Sequence, residues 1–177
     1  MESVALRYAS SLFELAQEEN SIERYEADLA LVNSIICSDE EVLNFFKHFN
    51  VDKKVKKETI DKAFNNRISV YVLNFIKLLI DKNRMSLLPD MIQAYHSLTN
   101  DYLGIKEGEV YSSLPLDSKD IIRLEEVLSK KMNKKIILTP KIDESLIGGI
   151  KVIIGHHVID GTAKNKMDLL KNELLRK

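Results

Sequence analysis

The sequence predicts a mainly α chain with a small α+β part: an N-terminal six-helix bundle over residues 1–105, followed by a C-terminal βαββα domain over residues 106–177. Three observations carry this. Apolar residues recur at spacings of three and four through most of the first hundred positions, the period of a helix with one buried face. Between Lys135 and Ile159 the period changes to two and the apolar residues become β-branched, as strands require. Gly104 and Gly108 interrupt the helical pattern between these regions. A chain of 177 residues is long enough for one ordinary domain or two small ones, and its 45% hydrophobic content supplies a core.

The first helix is expected over Val4–Glu18, with Ser3 as N-cap and Val4, Ala5, Tyr8, Ala9, Leu12, Phe13 and Ala16 on one stripe. Leu6 and Leu15 lie off that stripe. The plainer reading is a helix buried between neighbours; the sharper one gives it a core face and a partner face. The second helix is expected over Ile22–Ile36, with Ile22, Tyr25, Leu29, Val32 and Ile36 together. Ser38 followed by Glu41 has the capping-box spacing and would start a short third helix bearing Val42, Leu43, Phe45 and Phe46. Asn50 would cap a fourth over Val51–Phe64, whose Lys53, Lys54, Lys56 and Lys57 read as a solvated face.

The fifth helix, Val70–Asp81, is apolar nearly all round, with only Asn74 and Lys77 polar inside it. Such a helix is buried on most sides or covered by a partner. At about 12 residues it is too short to span a bilayer, which needs about 20. Asn83 and Arg84 close it. The sixth helix follows, with Pro89 near its start, where a missing N–H costs least, and with Met85 and Met91 as core or groove lining rather than a metal site.

Glu109–Leu114 then alternates as a strand and stops at Pro115. Asp117 or Ser118 would cap a helix bearing Ile121, Leu124, Val127, Leu128 and Met132, with Lys130 and Lys131 in its last turn. Lys135–Ile142 and Ile150–Ile159 read as an antiparallel pair whose link ends in Gly148-Gly149, residues suited to positive φ or to close backbone approach. Thr162 would cap a last helix with Met167, Leu170 and Leu174 on one stripe.

Composition and motifs narrow the chemistry. Residues 1–104 hold 12 Lys/Arg against 16 Asp/Glu and residues 105–177 hold 14 against 11, for a net charge of −1. Neither part is a polycation, so nucleic acid is not an expected partner. Cys37 is the only cysteine, which excludes an internal disulfide and points to a reducing compartment and a small buried side chain. No secretory pattern, transit pattern or membrane span is read, so any membrane association is expected to be indirect. Neither a phosphate loop nor G-x-G-x-x-G occurs. His156 and His157 are adjacent, expected on opposite faces of a strand and unable to chelate one ion together. His48 and His96 have no spaced partner. Asp143 and Glu144 read as turn carboxylates. No catalytic residue, cofactor or metal ligand is expected.

Three separated stretches carry a resemblance. Ile142–Thr162, IDESLIGGIKVIIGHHVIDGT, is similar to the C-terminal signature of the delta subunit of F-type ATP synthases, called the oligomycin-sensitivity-conferring protein in mitochondria; the matching residues include Asp143, Leu146, Gly148, Gly149, Asp160 and Gly161. Arg7–Ala16, RYASSLFELA, resembles that family's opening helix, and Asn74–Asp90 its fifth-helix region. The resemblance implies a non-catalytic stator subunit. Its helical part would bind amphipathic N-terminal segments of alpha subunits, with beta subunits as a further contact, and its C-terminal part would bind the b subunits of the peripheral stalk. It would lie on the cytoplasmic side of the membrane, held there by its partners. The expected groove residues are Tyr8, Ser11, Leu12 and Leu15 on the first helix, Asn74, Leu78 and Leu79 on the fifth, and Asn83 and Arg84 at its end. A stand-alone helical adaptor, and more remotely a small enzyme built on the Gly148-Gly149 bend, are the alternatives.

Overall fold

The computed structural model describes residues 3–175. It divides into two compact units, residues 1–100 and residues 101–177. The first is helical; the second holds a small mixed four-stranded sheet.

In the first unit the order is α1 (Val4–Glu18), α2 (Ile22–Val32), a π-helical turn (Asn33–Cys37), α3 (Glu40–Lys47), α4 (Lys53–Phe64), α5 (Val70–Asp81), a short 3-10 turn (Met85–Leu87) and α6 (Leu88–Leu103), which runs on past residue 100. Ala5, Ala9, Leu12, Phe13 and Ala16 of α1 face a core shared with Tyr25, Leu29 and Val32 of α2, Ile76 and Leu79 of α5, and Met91 and Tyr95 of α6. Val4, placed on the stripe by spacing, is exposed. Asparagines at positive φ end two helices. Asn20 after α1 and Asn83 after α5 each sit in a Schellman turn: Ser21 N donates to Ala16 O at 2.8 Å and Arg84 N donates to Leu79 O at 2.8 Å.

Several expected boundaries shift. The second helix does not stay α-helical to Ile36: its last turn widens to π, with Ser38 N donating to Asn33 O at 3.0 Å. Ser38 therefore does not cap α3. It stays in the helical region while finishing the π turn, and Asp39, in extended backbone, accepts from Glu41 N and Val42 N instead. Asp52 rather than Asn50 caps α4, accepting from Lys54 N at 2.8 Å. The lysine face of α4 is not simply solvated. Lys56 is only 4% exposed and donates through Nζ to His48 O at 2.6 Å; its burial, then the charge of Lys53, lowers its pKa. Lys53 and Lys57 reach Asp81 of α5 at 2.7 and 2.6 Å. His96, without a partner at ligand spacing in the sequence, pairs through Nδ1 with Glu26 of α2 in the fold.

The second unit runs β1 (Ile105–Ser112), α7 (Ser118–Met132), β2 (Lys135–Ile142), β3 (Ile150–Ile154), β4 (His157–Asp160) and α8 (Ala163–Leu175), in sheet order β2-β1-β3-β4. The expected βαββα order is corrected to βαβββα: Gly155 turns at φ 56° and splits the expected strand Ile150–Ile159 into a β3–β4 hairpin. His156 lies in that turn and His157 opens β4, so they do not share a strand.

The expected antiparallel pairing of Lys135–Ile142 with Ile150–Ile159 is also corrected. β1 lies between them, parallel to β2 through the α7 crossover and antiparallel to β3. Val110, fully buried at the middle of β1, joins Ile136, Leu138, Val152, Ile154 and Leu128 of α7 in one small core. Gly108 is no interdomain link. It sits within β1, where an added Cβ would come 2.6 Å from Ile154 Cγ1 and 2.7 Å from Ile153 O. The outer edge of β2 is occupied: Ile136 N donates to Ser129 Oγ at 2.9 Å and Leu138 N to Glu125 Oε1 at 2.8 Å, both from one face of α7. Thr162 caps α8 through Asn165 N at 3.3 Å. Met167 is exposed, and Leu170 and Leu174 lie outside the described side chains.

Candidate functional site

α1 and α5 stand apart along one side of the helical unit and leave a groove of about 600 Å³ between them, lined by Arg7, Tyr8, Ser11, Leu12, Leu15, Tyr71, Asn74, Phe75, Leu78, Lys82 and Arg84. Leu12 and Phe75 form its nearly buried floor, while Tyr8 and Leu15 are half-buried walls. Leu78 and Tyr71 stand 43% and 44% exposed, large apolar surface that no element among the described residues covers.

Two contacts fix the walls. The Arg84 guanidinium donates to the Tyr8 hydroxyl and lies 5.2 Å from the Tyr8 ring centroid, joining the end of α5 to the start of α1. Tyr8 also meets Phe75 edge to face at 6.3 Å. Toward the other end the Tyr71 hydroxyl donates to Glu19 Oε1 at 3.4 Å. The two helices thus run in opposite directions along the groove. Ser11 Oγ is turned onto the Arg7 carbonyl of its own helix at 3.1 Å.

The structure brings Tyr8, Ser11, Leu12, Leu15, Asn74, Leu78 and Arg84 into this one groove. It does not bring Leu79 or Asn83. Leu79 is 0% exposed and points into the core, one helical step of about 100° round from Leu78. Asn83 spends its conformation on closing α5, at φ 53°. Sequence reasoning missed Arg7, Tyr71, Phe75 and Lys82. The signal was present: Tyr71, Asn74, Phe75, Leu78 and Lys82 follow helical spacing on one face of α5, as Arg7, Ser11 and Leu15 do on α1.

In the second unit the signature residues interlock as backbone. Gly148 and Gly149 have φ 121° and 82°. A Cβ on Gly149 would meet Gly161 O at 2.5 Å and Thr162 Cα at 2.9 Å. Ala163 N donates to Gly148 O at 3.0 Å and Gly161 N to Ile150 O at 2.9 Å, so the glycine pair packs against the turn that opens α8. Asp160 Oδ1 accepts from Thr162 N at 2.9 Å, and Asp143 Oδ1 accepts from Ser145 Oγ at 2.6 Å and Ser145 N at 3.0 Å. These bonds favour the ionised forms and hold both carboxyls below the usual carboxylate range. Leu146 is half-buried and donates its N–H to Asp143 O at 3.2 Å. These carboxylates are engaged in turns, not turned toward a reacting group. Cys37 is half-buried in the π turn, and burial pushes its thiol pKa up.

Against known proteins, the family model described as "ATP synthase delta (OSCP) subunit" matches residues 4–174. The chain belongs to the ATP synthase delta (OSCP) subunit family. It is 33% identical to ATP synthase subunit delta of Syntrophomonas wolfei, over 97% of this chain and 94% of that one. It is 35% identical to ATP synthase subunit delta of Clostridioides difficile, over 97% and 95%. A chain of the Toxoplasma gondii mitochondrial ATP synthase hexamer has the same fold, with a TM-score of 0.72 and 19% identity, each chain covered over 98%. Delta is a non-catalytic subunit of an F-type ATP synthase. No helix among the described residues is long and apolar enough to cross a membrane.

Proposed function

We propose that this delta-family chain is a stator element whose helical unit grips the catalytic head and whose sheet-bearing unit grips the peripheral stalk. The observation that carries the reading is the α1–α5 groove: an apolar floor of Leu12 and Phe75, exposed Leu78 and Tyr71, and walls supplied by two antiparallel helices, the kind of surface that receives an amphipathic helix. Its occupant is the amphipathic N-terminal segment of an alpha subunit, with beta subunits as a neighbouring contact. The six helices α1–α6 act as one bundle over residues 1–105, and residues 106–177 bind the b subunits. The chain sits on the cytoplasmic side of the membrane, peripheral through these partners.

The work is mechanical. A head that is free to turn with its rotor synthesises nothing, and a bridge from head to stalk resists that torque. Such a bridge needs tight, long-lived contacts at both ends and no reaction centre of its own. The packed core beneath the groove supplies a stiff anchor for one of them.

The test is titration of the full chain with a synthetic peptide of the alpha N-terminal segment from the same organism. Leu15→Asp places a charge on the groove wall. At a half-buried site it costs the free protein about 1 kcal/mol, while peptide affinity falls by more than tenfold, about 1.4 kcal/mol. A stable variant with unchanged affinity removes Leu15 from the site, and the same result at Tyr8 and Leu78 refutes the groove.

A further inference from the structure

The groove is electrically uneven along its length. Its lining residues include three cations, Arg7, Lys82 and Arg84, and no carboxylate. The Arg84–Tyr8 contact places the N-terminal half of α1 beside the end of α5, so all three cations gather at one end. At the opposite end the nearest charge engaged by a lining residue is Glu19, held by Tyr71. The floor between these ends is apolar.

Resting on the helix-docking reading above, we infer that the groove selects a helix by charge as well as by apolar fit: the occupant carries carboxylates at the end that lies over Arg7, Lys82 and Arg84, and this sets the direction in which it docks. Arg84 is the residue best placed to read that charge. A guanidinium presents five N–H donors in a planar fork, and the Tyr8 hydroxyl engages one side of it. The fork is therefore held in orientation before the partner arrives, and less side-chain freedom is lost on binding. Arg7 and Lys82 are exposed and longer-ranged. They add attraction that salt screens, whereas the half-buried Arg84 gives a contact that salt weakens less. A helix presenting lysines at this end meets three like charges and is rejected, which separates the true occupant from other amphipathic helices of equal apolarity.

The full chain is titrated with three forms of the alpha N-terminal peptide: native, and with Asp/Glu replaced by Asn/Gln in the N-terminal half or in the C-terminal half. One half, and only one, should carry the effect, with neutralisation there weakening binding about tenfold. That difference should collapse to less than twofold against Arg84→Met. It should narrow, and lose most of its salt dependence, against the double variant Arg7→Gln/Lys82→Gln. The double variant changes only exposed side chains, so the test remains decisive even if Arg84→Met does not fold. If native and both neutralised peptides bind the unaltered chain within twofold of one another, the charge-reading inference is wrong and the apolar groove stands. If the loss appears but is equally large against both variants, the carboxylates act elsewhere and the inference is again wrong. If no peptide form binds, the helix-docking reading itself fails and this one with it.

Discussion

Gly149→Ala tests whether the signature glycine pair is a packing device. Gly149 lies at φ 82°, where an L side chain costs about 1–2 kcal/mol. The added methyl would also stand 2.5 Å from Gly161 O and 2.9 Å from Thr162 Cα, both backbone atoms with no rotamer to escape into. To make room, the turn opening α8 must retreat, which strains the Ala163 N to Gly148 O bond at 3.0 Å and the Gly161 N to Ile150 O bond at 2.9 Å. Overpacking adds about 1–3 kcal/mol, so the total is about 2–5 kcal/mol, a large share of a small unit's stability. Gly155→Ala is the control: φ is 56° and nothing lies within 4 Å of the new Cβ, so only the backbone term of about 1–2 kcal/mol applies. Amide hydrogen exchange reads each unit separately. Exchange at Val110 and Val152 should quicken roughly thirtyfold or more for Gly149→Ala and about tenfold for Gly155→Ala, at 1.4 kcal/mol per tenfold. Helices α1–α5 should be unaffected. If the two variants agree within threefold, the contact with the α8 turn contributes nothing and the packing argument is refuted.

Two further outcomes are expected. Asp39→Ala should cost about 1 kcal/mol in thermal or urea unfolding, because it removes the acceptor for Glu41 N and Val42 N, while Ser38→Ala should cost clearly less; equal losses would return the cap to Ser38. Asp143 and Asp160 have folded pKa values below their unfolded ones, so the stability they confer is complete above the unfolded carboxylate range of about pH 4 and is lost as pH falls through the folded values. The exchange-measured stability of the sheet unit should therefore decline below about pH 4, with a shallower acid limb in Asp143→Asn/Asp160→Asn; an unchanged limb would rule these two groups out as its source.

The helical half was legible because burial there follows one stripe per helix. Val4–Glu18 and Val70–Asp81 have the expected bounds, and Tyr25, Leu29, Val32 and Ile36 are all buried. Capping was less legible. Ser38, Asp39, Asn50 and Asp52 are all competent acceptors, and the choice among them depends on which residue the preceding turn leaves in extended backbone. Pairing in the sheet was hidden for another reason. The central strand β1 is lined by Lys106, Glu107 and Glu109, polar residues that do not advertise a centre, and only one of its faces is covered by α7. Adjacent runs in sequence then look like partners although β1 separates them. The groove was half legible. Periodicity finds the apolar residues of α1 and α5, but in a helix apolar on nearly every side it cannot tell Leu78, exposed, from Leu79, wholly buried.

The residues that make the family recognisable and those that line the groove are different in kind. Gly148, Gly149, Asp160, Gly161 and Thr162 are fixed by close backbone approach and turn hydrogen bonds, constraints that few other residues satisfy, so their pattern is specific. Leu12, Leu15, Phe75 and Leu78 need only be apolar and of suitable size, and such residues also fill the core beneath them. The stator proposed above uses both: a sheet unit locked by its turns, and an apolar cleft whose walls are fixed by the Tyr8 contacts with Arg84 and Phe75. Placing the cations at one end of that cleft adds direction to an otherwise non-directional contact. A part that transmits torque must hold its partner in one orientation, and apolar burial alone does not choose between two.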